Sequence, residues 1–153
     1  MEVTFAPKGI LEINDAKIVY RNFSGRGDKF NREGDRNFSL VIPDEQLFDR
    51  LEEEGWNVKK KEARDEGDTP FMTLPVKVKF NECGPVVYLK TGNRQVRLYE
   101  DSVSCLDNID ILSIDLDIRP YDWDVNGKKG RTAYLQGICV TQRIDRFAMD
   151  EEN

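Results

Sequence analysis

No histidine occurs anywhere in the 153 residues. Histidine is the commonest general base near neutral pH and the commonest zinc ligand, so hydrolase and metalloenzyme chemistry lose their usual carrier. There is no CxxC pair and no GxxxxGK[ST] loop, which leaves zinc fingers and ATP hydrolysis without support. No stretch approaches the roughly 20 apolar residues that a spanning helix needs. The N-terminal MEVTFAPKG has neither the apolar run nor the basic leader of a secretion signal. Cysteine is scarce: Cys83, Cys105 and Cys139 are widely spaced and odd in number. They read as free, partly buried thiols of a reducing cytoplasm, with Cys83 the more exposed in its NECGP turn.

What is present is charge and strand pattern. The chain is 39% hydrophobic and 34% charged, with formal net charge -6. That suits a folded chain with one core. Against this acidic background stands the segment Lys17 to Phe38, KIVYRNFSGRGDKFNREGDRNF. Lys17, Arg21, Arg26, Lys29, Arg32 and Arg36 outnumber Asp28, Glu33 and Asp35, and Tyr20, Phe23, Phe30 and Phe38 are threaded between them. Cations meet phosphates and flat rings stack on unpaired bases, so the pattern points to single-stranded nucleic acid.

Most of the chain reads as strand. Residues 10–20 alternate on either side of Asn14-Asp15, a bulge or turn. Gly25, Gly27 and Gly34 mark a flexible loop across 22–35. Phe38, Leu40 and Ile42 share one face of the next strand. Asp44 caps a helix over about residues 44–54, with Leu47, Phe48 and Leu51 on one side and Gly55 closing it. Residues 56–60 read as a strand with Trp56 and Val58 facing in, and 61–70 as a polar loop.

Residues 71–80 form a strand whose Pro75 suggests an edge or a bulge. Strands over 85–91 and 95–99 are joined at Gly92-Asn93, and 101–106 is a single helical turn. Residues 109–119 alternate as a long strand, 120–130 as a second loop bearing rings and charge. Residues 131–144 close the fold with Ala133, Leu135, Gly137 and Cys139 on one parity. The pattern predicts a mainly β fold: an OB-fold-like five-stranded barrel with extra strands and one helix, in one domain over 1–153. The acidic tail, about 148–153, is expected to fray.

Taken together, IVYRNFSG, FNREGDRNFSLVIPD, LEEEGWNVK, VKVKF, LDNIDILSIDLDIRPYDW and GKKGRTAYLQGICV resemble a family of small bacteriophage and prophage proteins. That family is regarded as single-stranded DNA-binding with an oligonucleotide-binding fold. The resemblance runs from about Ile13 to about Val140. It implies single-stranded DNA as partner, phage replication or recombination proteins as further partners, the cytoplasm of a bacterial host, and no cofactor. A homodimer is left open. The tail lacks the long glycine-rich linker of better-known single-stranded DNA-binding proteins.

Residue chemistry, rather than the resemblance, nominates the site. In the first region Arg21, Arg26, Lys29, Arg32 and Arg36 would meet phosphates, while Phe23 and Phe30 stack on bases or fold back on the core; Phe38 belongs to the core. In the second, Tyr121, Trp123 and Tyr134 offer stacking surfaces beside Lys128, Lys129 and Arg131, or the rings plug a barrel end. In the third, Trp56, Lys59, Lys77 and Lys79 line a basic sheet face that is either a backbone track or an ordinary exterior. Arg94, beside the Gly92-Asn93 turn, is a fourth candidate. Asp115 and Asp117 share one strand face and could in principle hold Mg²⁺, but no third carboxylate is suitably spaced, so no enzyme and no metal site is expected. RNA binding, and a phage structural or host-directed interaction module, are the alternatives.

Overall fold

Asp15 takes the left-handed conformation, φ 54°, and so breaks one extended segment into two strands, β2 (Leu11–Asn14) and β3 (Ile18–Asn22). Aspartate tolerates this region better than most residues. The bend decides the architecture, because each half pairs with a different neighbour. In the computed structural model, which describes residues 1–82 and 84–144, β2 pairs antiparallel with β9 (Ile111–Val125). The other half, β3, pairs antiparallel with β4 (Arg36–Val41). Across the bend the Ala16 amide donates to the Ile114 carbonyl and the Val41 amide to the Lys17 carbonyl, both at 2.8 Å.

The remaining barrel strands are β6 (Phe71–Val78) and β10 (Lys128–Gln142). β4 pairs antiparallel with β6, β6 parallel with β10, and β10 antiparallel with β9. Counting the bent segment as one strand, the circuit 11–22, β4, β6, β10, β9 returns to its start. It is a five-stranded, OB-fold-like barrel. Outside the circuit lie β1 (Glu2–Phe5) on β2, β5 (Lys59–Lys61) on β6, and the hairpin of β7 (Val86–Thr91) and β8 (Arg94–Leu98) on β10.

Alternation fills the interior. Phe38 and Leu40 of β4, Leu74 and Val76 of β6, Ile114, Leu116 and Ile118 of β9, and Ala133 and Leu135 of β10 are all buried. The helix α1 (Glu45–Glu53) starts as the sequence predicts: the Asp44 carboxylate accepts the Leu47 amide at 2.8 Å. It buries Phe48 and Leu51, and Gly55 ends it at φ 90°. The single turn lies at Val103–Asp107.

Four expectations change. Pro75 is not at an edge: on one flank of β6, β5 covers residues 71–73 and β10 covers 76–77, and Pro75 falls in the gap between them. Residues 120–125 are not loop but the continuation of β9, paired with β10 down to a tight Asn126-Gly127 turn. The inward parity of β10 does not persist, because a register shift at Gln136 turns Gly137 and Cys139 outward and Ile138 and Val140 inward. Trp56 makes an isolated bridge to Arg131, and the strand begins only at Lys59. Cys105 and Cys139 are free, partly exposed thiols, both pushed up chiefly by burial. Cys83 and the acidic tail lie outside the described residues.

Candidate nucleic-acid interface

Register aligns side chains across four strands on the outer face of the barrel. Asn37 of β4 faces Lys77 of β6, Lys77 faces Tyr134 of β10, and Tyr134 faces Arg119 of β9. Further along, Ser39 stands beside Pro75 and Thr132 beside Tyr121. The Arg119 guanidinium lies 4.9 Å from the Tyr134 ring centroid. Beyond Tyr121 on the same strand face comes Trp123, paired with Gly130. Gly130 is required there: a β-carbon would overlap the indole. The absence of a side chain lets the ring lie over the ribbon while remaining 39% exposed.

At the β4–β6 end this face is concave. A groove of about 530 Å³ is lined by Asn31, Arg36, Asn37, Lys77, Lys79 and Tyr134, among others. Lys77 and Lys79 are exposed, and β5 sets exposed Lys59 beside Thr73, on the same sheet face as Pro75 and Lys77. Three of the nominated lysines therefore share one side of the barrel.

The loop over 23–35 rises at the edge of this groove and is not slack. Asp28 accepts the amides of Phe30 and Asn31 at 2.7 and 2.8 Å, and Glu33 accepts that of Gly27 at 2.7 Å. The Asn31 side chain donates to the carbonyls of Arg26 and Asp35 at 2.8 and 3.0 Å, and accepts from the Asn37 side-chain Nδ2 at 2.9 Å. Two of the loop's acids thus hold its backbone, while Arg26, Lys29 and Arg32 are exposed. Phe30 is 92% exposed, with the Lys29 ammonium 5.9 Å from its ring centroid. A ring so little used by the fold is available for stacking.

Several nominated residues are otherwise engaged. Phe23 is fully buried and stacked on Phe38 at 5.4 Å, so no base can reach it. Its amide and that of Ser24 donate to the Asp107 carboxylate at 2.7 and 3.0 Å, which pins the strand end inward. Arg21 donates to the carbonyls of Leu106 and Ile109, each at 2.8 Å, and acts as a clamp on the same turn. Trp56 is buried beneath the Arg131 guanidinium, which lies 5.3 Å from its ring centroid. Arg131 itself grips Asp122 with two bonds of 2.7 and 3.2 Å.

The ribbon tip divides Lys128 from Lys129. Lys128 shares the face of Trp123, and Lys129 shares that of Arg131. Arg94 sits at the tip of the β7–β8 hairpin, which flanks β10 at residues 137–141 rather than near Tyr134, so the structure does not bring it into the groove. Sequence reasoning missed Arg119, Asn37 and Asn31. Arg119 shares strand parity with Tyr121 and Trp123, a signal hidden by reading 120–130 as loop.

A larger cleft, about 1090 Å³, opens on the same outer face but is lined by Glu82, Asp115 and Asp117 as well as Arg119. Burial, and then the neighbouring Glu12 carboxylate, pushes the Asp117 carboxyl up. Three carboxylates against one arginine make it a poor seat for a phosphate chain, whatever its size. No group of three metal-ligating side chains occurs among the described residues, and no helix among them is long and apolar enough to cross a membrane.

In an OB barrel, oligonucleotides lie on the face of the second and third strands, between the loop joining the first two and the loop joining the last two. Here those are β4 and β6, the 23–35 loop, and the β9–β10 ribbon. No curated protein matches the chain. Three solved structures of the single-stranded DNA-binding protein from bacteriophage Enc34 share its fold. The C-terminally truncated form matches with TM-score 0.58 at 13% identity, over 94% of this chain and 91% of that one. The form in complex with ssDNA matches with TM-score 0.58 at 13% identity, over 95% and 93%. A third structure of that protein matches with TM-score 0.57 at 12% identity over the whole of both chains. The family model described as "Putative phage ssDNA-binding domain" matches residues 2–151. The bent first strand, the five-stranded circuit and the cationic, aromatic outer face are thus those of a chain that belongs to this phage ssDNA-binding domain family.

Proposed function

We propose that this protein binds single-stranded DNA without catalysing a reaction, and that it coats strands exposed during phage DNA replication or recombination in a bacterial cytoplasm. The observation that carries this reading is the aligned outer face: Asn37, Lys77, Tyr134 and Arg119 in one row, continued by Tyr121 and Trp123. Cations there neutralise phosphates while rings stack on bases. A duplex hides its base faces, and so offers the rings nothing. Neither contact reads base identity, so sequence preference is weak. The solved complex of the Enc34 protein with ssDNA supports the same use of the fold.

The test is a titration of tryptophan fluorescence with oligo-dT, oligo-rU and duplex DNA of equal length at several salt concentrations. Trp123, on the binding face, reports occupancy. Oligo-dT should bind more tightly than duplex, and log affinity should fall with log salt by about 0.7 per phosphate neutralised. Equal or absent binding of dT at low salt would sink the reading. Tighter binding of rU would reassign it to RNA.

A further inference from the structure

Among the described residues, the Arg36 Nε is a buried side-chain atom without a hydrogen-bond partner. Such an atom carries a desolvation penalty unless something pairs with it. The rest of the guanidinium is held loosely. Nη1 lies 4.0 Å from the Glu100 carboxylate, and Nη2 donates to the Glu100 carbonyl at 3.5 Å. Both distances are at the outer limit for such contacts. Within the same molecule Arg131 and Asp122 close to 2.7 Å, so this fold is able to make a tight guanidinium–carboxylate pair. The Arg36 side chain is 22% exposed, and its guanidinium lies 5.8 Å from the Phe80 ring centroid. Glu100, by contrast, is 59% exposed at its side chain. Both residues line the groove that runs over β4 and β6.

An arginine fork offers two parallel bonds to a phosphate, which Lys cannot do. We propose that Arg36 is the seat of a backbone phosphate in this groove, and that Glu100 is the carboxylate this phosphate displaces. The inference rests on the nucleic-acid reading above and adds to it a residue, Glu100, that limits affinity. In the free protein Glu100 keeps the half-buried guanidinium partly neutralised and oriented. When a strand enters, Glu100 turns to solvent and the released guanidinium swings its fork onto a phosphate, so that Nε leaves its buried, unpaired position. The exchange costs the weak Arg36–Glu100 attraction, so binding is weaker than the groove alone would allow.

The experiment is a titration with oligo-dT, at one fixed salt concentration, of wild type, Glu100→Gln, Asp101→Asn and Glu100→Gln in an Arg36→Gln background. An exposed ion pair is worth about 0.2–1 kcal/mol, so Glu100→Gln should tighten binding by up to about 5-fold. Asp101→Asn removes the same charge one residue away without the contact, and should give clearly less. In the Arg36→Gln background the gain should vanish. Equal gains from Glu100→Gln and Asp101→Asn, or a gain that persists without Arg36, would mean a general charge effect and would overturn the proposal. If Arg36→Gln does not fold, as judged by circular dichroism, the Glu100 and Asp101 comparison decides alone. Failure of wild type to bind oligo-dT at all is a distinct result, which removes the parent reading and this one with it.

Discussion

Tyr121 and Tyr134 meet edge to face, with ring centroids 6.0 Å apart and planes at 78°. They come from neighbouring strands of the β9–β10 ribbon, and the pairing fixes both rings on one side of it. Tyr121 remains 55% exposed. Because each braces the other, losing either should weaken stacking by both. Tyr121→Ala and Tyr134→Ala are each expected to cost about 1–3 kcal/mol of oligo-dT affinity with little change in salt slope. The double variant should cost less than the sum of the two singles, measured as a double-mutant cycle.

The cations should behave in the opposite way. Arg26→Ala, Arg32→Ala and Lys77→Ala are each expected to weaken binding equally for dT and dC. Each should reduce the salt slope by roughly one phosphate equivalent. Arg94→Ala, at the tip of the β7–β8 hairpin, should leave both quantities alone. A slope change at Arg94 as large as that at Lys77 would place the strand on a different path.

Two phenylalanines seven residues apart should separate stability from binding. Phe23 is fully buried against Phe38, so Phe23→Ala is expected to destabilise the fold by about 3–5 kcal/mol, read from chemical denaturation. Phe30 is 92% exposed, and Phe30→Ala should leave the denaturation midpoint unchanged while lowering oligo-dT affinity. An unfolded Phe30→Ala protein would return that ring to the core.

Two aspartates should move stability with pH in opposite senses. The side-chain hydrogen bond from Arg131 holds the Asp122 carboxyl below its usual range. Its contribution is therefore present above the unfolded pKa, about 3.9, and is lost as pH falls through the folded value. Asp122 is largely exposed, so the amount is no more than about 1 kcal/mol. The Asp117 carboxyl is raised by burial, then by Glu12. The unfolded chain releases that proton first, so ionised Asp117 works against the fold at neutral pH and ceases to do so in acid. Thermal melts of Asp122→Asn should show a deficit at pH 7 that shrinks as pH falls below about 3.9, through the lowered folded value. Asp117→Asn should show a small gain at pH 7 that disappears in acid.

The same acidic strand face tests whether the protein catalyses a reaction. Asp115→Asn combined with Asp117→Asn is expected to keep or slightly raise DNA affinity, since negative charge is lost beside Arg119. Neither wild type nor the variant is expected to cut DNA in Mg²⁺ or Mn²⁺. Hydrolysis by purified wild type that the double variant abolishes would show a metal-dependent enzyme.

The sequence by itself determined the local elements and the charge pattern. Alternation placed Phe38, Leu40, Ile114 and Leu116 in the core, because a strand sends successive side chains to opposite faces. Asp44 and Gly55 bounded the helix through their own backbone chemistry. The basic loop and the aromatic ribbon were both legible as candidate contacts. The tertiary structure alone decided which of those side chains are free. Phe23 and Phe30 look alike in the sequence, yet Asp107 pulls one inward and Asp28 fixes the backbone of the other where its ring faces solvent. Arg21, Arg36 and Arg131 are alike in the sequence too, but they differ in partners that lie 64 to 88 residues away for the first two and across a ribbon for the third. Arg119 joins Lys77 and Tyr134 only through strand pairing. Register, and the choice of which ring or cation in a run stays free, are set by contacts between distant segments, which local alternation does not encode.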